Sequence, residues 1–242
     1  MALPPRFCVE HPNLRQVQIH VQTVEVISYR AFFGCRNLER VEFVATTTGQ
    51  RDVAEATRNR LVQPRLTTID HDAFYCSNLH SVIGLEHISQ SLKSIQVDAF
   101  GKCGKMTVLD LPCLTRLHCL GDYAIRYCES LTVVDLSKCV LIEVIGKYSF
   151  WQCKALKTIH LPPNLKRIHA EAFGGCKALV SIAIPTLVQH MGYGVFSQCT
   201  GLAQVTFRSR RNLHRLMYGS QQFHGCGSLH TLELQGPRIP RE

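Results

Sequence analysis

Acidic residues are scarce: 18 stand against 27 lysines and arginines, so the 242-residue chain carries a net charge of +9. That balance points to anionic surfaces or acidic proteins as partners and says nothing about fold. Long apolar runs are also missing. No segment approaches the ~20 apolar residues of a membrane-spanning helix, and the opening MALPPRFCVEHPNL has no apolar stretch of signal-peptide length. Membrane insertion is therefore not expected, and a cell-surface location would need a leader outside this sequence. Catalytic motifs are absent as well: there is no G-x-x-x-x-G-K-[ST] loop, no G-x-S-x-G elbow and no H-E-x-x-H helix. None of the twelve cysteines forms a C-x-x-C pair, which argues against zinc. No catalytic residue, metal, cofactor or small-molecule substrate is expected. None of the six asparagines lies in an N-x-[ST] acceptor, but five of them precede leucine as part of a recurring pattern, so this absence says little about compartment.

That pattern dominates the chain. Its clearest copy is SFWQCKALKTIHLPPNLKRIHAEAF, residues 149–173. Cys153, Leu156 and Ile159 recur every three residues along a tight coil, Ile159 and Leu161 flank His160 with the alternation of a short strand, and Pro162 and Pro163 force a turn. Leu165 and Ile168 form a second half, and Ala172-Phe173 opens the next copy. The core C-x-x-L-x-x-V-x-L is found from Cys35, Cys76, Cys103, Cys128, Cys153, Cys176, Cys199 and Cys226, with a first copy that has His11 in place of cysteine. A unit this small cannot enclose its own apolar side and must stack on neighbours.

These units resemble the BspA-like leucine-rich repeat family, whose repeats take the form AF-x-x-C-x-x-L-x-x-V-x-LP-x-x-L-x-x-I. The resemblance covers roughly residues 7–235. It implies a leucine-rich repeat solenoid of stacked, parallel short strands joined by turns, used as a recognition surface and carrying no shared catalytic residue. Known members are chiefly microbial surface proteins and expanded protist sets. The expected architecture is one domain over 1–242 with about nine repeats of about 23–27 residues, the second lengthened by an insertion at about 44–65. At the usual strand spacing nine rungs make a sheet on the order of 40 Å long.

Eight cysteines in one column would face the interior, where a small, weakly polar thiol fits. They are expected to be free and reduced, which suggests an intracellular setting. Cys153 and His160 do not form a nucleophile pair on this reading, since the cysteine column faces the core and the His160 column faces solvent.

Two departures from the repeat attract attention. The insertion carries Arg51, Arg58, Arg60 and Arg65, with a short helix or an ordered loop expected over Asp52–Gln63, closed by Pro64. It is either a partner contact or a tolerated surface excursion. In 207–223 the proline turn gives way to Arg208, Arg210, Arg211 and Arg215, a positive patch suited to an acidic protein or to RNA phosphates. On the strand row, the outward residue is Glu42, Asp110, Asp135, His160 or Glu233 in five of the copies, so its charged members are acidic: either an acidic strip or ordinary solvated positions. Trp151 either anchors a partner or covers the outer edge of the coil. Taken together, the residues indicate a non-catalytic protein–protein interaction module, a scaffold or structural subunit of a larger assembly. An RNA-contacting subunit and an adhesin-like surface protein are the alternatives.

Overall fold

The computed structural model describes residues 1–45, 63–111, 113–209 and 221–235. Over these the chain winds as a parallel β-solenoid, and the only helical element among the described residues is a 3-10 turn at Leu85–Ile88. Most of the described coils have two short strands and two turns. In the coil of residues 149–173, Thr158–His160 is the first strand, with Ile159 buried and its neighbours exposed, and Arg167–Ile168 is the second, with Ile168 buried. The period-two alternation read around His160 is thus the pleat itself.

Stacking these strands makes two walls. The back sheet is a continuous eight-stranded parallel ladder of two-residue strands running from Ala2–Leu3 and Val26–Ile27 to Arg167–Ile168 and His190–Met191. The front wall falls into three groups: Gln16–His20, Arg40–Val44 and Ser81–Ile83; Val133–Asp135 and Thr158–His160; and Ser181–Ile184, Gln204–Phe207 and Thr231–Leu234. Single bridges at Val108 link the first two groups. Register is straight, so that Val17, Val41 and Val82 share one inward column and Ile182, Val205 and Leu232 another.

The turn before the front strand holds the largest core residues. Phe32, Phe74 and Phe100 stack on one another, and so do Phe150, Phe173, Phe196 and Phe223, with ring centroids 5.2–5.7 Å apart. Such pairs contribute about 0.5–1.5 kcal/mol beyond their burial. Ile125 occupies the same buried column between the two stacks.

Beside the rings runs the thiol column. The sulfur of Cys153 donates to the carbonyl of Ile125 at 3.2 Å, one coil back, and Cys128, Cys176 and Cys199 repeat the contact with Phe100, Phe150 and Phe173. All twelve cysteines are free. Burial pushes the Cys153 and Cys199 thiols up to about 12, which keeps them protonated as the donor role requires.

One sequence assignment is corrected. Cys76 does not stand in the column; Ser77 does, buried, with its hydroxyl 3.3 Å from the sulfur of Cys103. Cys76 is half-buried in the turn at φ 60. This coil is one residue shorter between the column and Leu79, so the C-x-x-L spacing matched the wrong residue. Each such turn also contains two left-handed residues four apart, as in Asp98 and Lys102, Tyr123 and Tyr127, or Tyr148 and Gln152. The helix expected in the insertion lies outside the described residues.

Candidate protein-binding groove

The break between the second and third front groups has a local cause. At the ends of the last front strands the backbone N–H of Arg208 donates to Ile184 and that of Gln235 to Phe207, closing each coil onto the one before. The corresponding residue at the break is Pro185, which has no N–H to give to the coil before it; Pro162 lacks one too, but there the ladder to Val133–Asp135 is intact. Thr158–His160 and Ser181–Ile184 are neighbours but are not paired in the ladder. A groove of about 460 Å³ opens there, within the size range of ligand pockets, about 300–1,000 Å³.

Among its lining are Thr158, Ser181 and Ala183, Pro163, Pro185 and Thr186, and the cationic or basic side chains His160 and Arg208. Among the described residues no aspartate or glutamate lines it. Arg208 is exposed and forms no ion pair with the described residues. The hydroxyls of Thr158, Ser181 and Thr186 take no side-chain hydrogen bond from the described residues either. Donors that line an open groove and have no partner among the described residues can serve a bound carboxylate or backbone carbonyl.

Among the expected site residues, the structure therefore brings His160 and Arg208 together. Asp135 sits beside His160 in register, and the Ser137 N–H donates to its carboxylate at 2.8 Å. Glu233 lies on the far side of Thr206, whose hydroxyl donates to it at 3.1 Å. Asp110 is exposed one coil before Asp135. Glu42 stands apart near the start of the solenoid, accepting from Gln18 at 3.1 Å. The acidic residues are thus divided along the front wall. Arg65 is elsewhere, paired with Glu25 at 2.7 Å. Arg51, Arg58, Arg60, Arg210, Arg211 and Arg215 lie outside the described residues.

Trp151 belongs to a different edge. It is half-buried in the phenylalanine turn, edge-on to Tyr127 at 4.9 Å and to Tyr148 at 5.7 Å, and it covers Gly174, where an added Cβ would lie 2.9 Å from its ring. Around it Tyr123 stacks on Tyr148, and the Arg126 guanidinium lies over Tyr123 while gripping Asp98 at 2.6 and 3.0 Å. These rings largely occupy one another's faces. Cys153 and His160 lie on opposite sides of the wall, and the thiol is held protonated, so they form no nucleophile pair. Among the described residues no three histidine, cysteine or acidic side chains converge as metal ligands, and no helix is long and apolar enough to cross a membrane.

Sequence reasoning missed the groove's hydroxyls and Ala183. The signal available was a small residue in the outward column next to the coils that carry prolines after their strands.

Coil, register and columns define a leucine-rich repeat solenoid. The model of the BspA type leucine-rich repeat region matches residues 5–132 and 118–237, with six copies, and the chain belongs to that family. No curated protein sequence matches it. Solved structures similar to it include a leucine-rich cell surface protein from Faecalibacterium prausnitzii A2-165, 17% identical with a TM-score of 0.34 over 96% of this chain and 82% of that one. A leucine-rich repeat protein from Bacteroides ovatus is 22% identical with a TM-score of 0.38, over 91% of this chain and 69% of that one. The pneumococcal vaccine antigen PcpA is 15% identical with a TM-score of 0.49, over 93% and 57%.

Proposed function

We propose that the chain is a non-catalytic protein–protein interaction module, acting as one domain over 1–242 and serving as a scaffold or structural subunit that holds a partner on its front wall. The observation that carries this reading is the groove between Thr158–His160 and Ser181–Ile184, lined by an arginine and three hydroxyls with no side-chain partner among the described residues. The column of free thiols fits a reducing, intracellular setting, and a membrane-impermeant label that reached the protein on intact cells would replace that setting with display at the surface.

The test is affinity purification of the tagged chain from its native cell, compared with Ala183→Arg, which fills the groove from an outward position. The reading expects a discrete protein partner that survives ribonuclease and is lost with Ala183→Arg. A partner retained by the variant sinks the assignment to the groove, and one released by ribonuclease moves the function to RNA contact.

A further inference from the structure

Along the solenoid axis, the outward column of the front wall reads Asp135, His160, Ala183, Thr206 and Glu233, one residue per coil. Ala183 is the smallest of these and sits in the groove between His160 and Arg208. Two coils away on either side stands an acid. Both acids stay ionised. Burial tends to raise the Asp135 carboxyl, but Ser137, His160 and Lys138 together bring it below its ordinary value; bonds from Gln235, Thr206 and Gln204 lower that of Glu233. Neither forms an ion pair with the described residues, so their charge is available to a partner. The front wall therefore sets an acid on either side of a groove lined by Arg208, which belongs to the Thr206 coil, one coil from Glu233 and three from Asp135.

The spacing has a counterpart in one backbone conformation. The two paired coils from Ala183 to Glu233 span about 9.6 Å at ~4.8 Å each, while on the Asp135 side the step from His160 to Ala183 crosses the unpaired gap. A polyproline II segment has three residues per turn and rises about 3.1 Å per residue, so its residues i−3, i and i+3 lie on one face, about 9.3 Å apart. A β-strand places alternate residues on one face about 6.6 Å apart and does not match. We infer that the groove receives a polyproline II segment of a protein partner running along the solenoid axis, with an Asp or Glu over Ala183 and a Lys or Arg three residues to either side. This rests on the groove being the partner site proposed above. The carboxylate accepts from the Arg208 guanidinium that lines the groove, while the flanking cations meet Asp135 and Glu233. A segment of opposite signs meets like charges at all three positions.

Three labelled peptides test this by fluorescence anisotropy on the full chain: Lys-Pro-Pro-Glu-Pro-Pro-Lys, its sign-inverted counterpart, and one with the same charges at two-residue spacing. The first is expected to bind at least tenfold more tightly than the others at low ionic strength. Arg208→Glu, with an unchanged melting temperature, is expected to weaken it by at least tenfold. The Asp135→Lys, Glu233→Lys double variant is expected to shift preference to a peptide with glutamate at all three positions. Equal binding of the inverted or respaced peptide, or no effect of Arg208→Glu, overturns the inference. If the peptides fail while Ala183→Arg still abolishes capture of the cellular partner, the charge pattern is wrong and the groove stands. If Ala183→Arg leaves capture intact, the groove itself is wrong.

Discussion

Removing the ring of Phe173 should cost more than almost any other single change in this chain. The residue is fully buried and stacked on both sides, on Phe150 at 5.4 Å and Phe196 at 5.5 Å. Phe→Ala in a core costs about 3–5 kcal/mol, from lost burial and the cavity left behind. Two ring pairs at about 0.5–1.5 kcal/mol each put Phe173→Ala toward the upper end. In a stacked array each coil contacts only its neighbours, so the loss falls on two interfaces at once. Phe223→Ala is the internal control, since that ring is half-buried and stacks within this column only on Phe196, at 5.7 Å; its cost should be clearly smaller. Phe173→Ile imitates the coil that has Ile125 in the ring column and should cost less than Phe173→Ala but still lose the two ring pairs, about 1–3 kcal/mol. Urea unfolding followed by circular dichroism gives all three values. A cost below about 1 kcal/mol for Phe173→Ala, or one no larger than that of Phe223→Ala, would falsify the column assignment on which the fold account depends.

The thiol column predicts an alkaline limit. Burial raises Cys139, Cys153 and Cys199 from an ordinary 9.0 to about 12, so between those values only the unfolded chain loses their protons. Stability should be full below pH 9 and fall as pH rises toward 12, by about 1.4 kcal/mol per unit for each thiol; a flat denaturation midpoint from pH 8 to 10.5 would contradict this. Alkylation read by mass spectrometry should label Cys128, Cys153 and Cys176 only on unfolding, and prompt labelling in the native chain would show that the column is open. Gly84 has φ 77, and an added Cβ would fall 2.0 Å from the Phe43 carbonyl, so Gly84→Ala should lose at least about 1–3 kcal/mol; an unchanged melting curve would refute the close approach.

How much of this was legible beforehand depends on what each feature encodes. Apolar columns were readable because every coil repeats them: Leu156, Ile159, Leu165 and Ile168 stand where their spacing put them, and the second half of the repeat became the back sheet. Position within a turn was harder. Cys76 satisfied the sequence pattern, yet Phe74 and the shortened coil gave the buried place to Ser77, because backbone hydrogen bonds to the neighbouring coil set register and a single missing residue leaves no mark on composition. The left-handed pairs were hidden because Arg, Asp, Tyr, Glu and Gln fill them in turn, with glycine at only a few. The groove was half visible. His160 and Arg208 attracted attention separately, for charge, but their meeting beside Pro185 is a property of the gap between two coils. Trp151 carried an ambiguity that only packing resolves, and its contacts with Tyr127, Tyr148 and Gly174 fill the outer edge of the coil.

The central claim is that the front wall at the proline gap is where a protein partner sits. Its most direct test is site-specific photo-crosslinking in the native cell, with a photoreactive residue placed at Thr158 in the groove and, as the comparison, at Val144 on the back sheet. The account predicts a discrete crosslinked protein from Thr158, insensitive to ribonuclease and lost when Arg208→Glu is added, with none from Val144. Capture of the same protein from Val144 and not from Thr158 would contradict it.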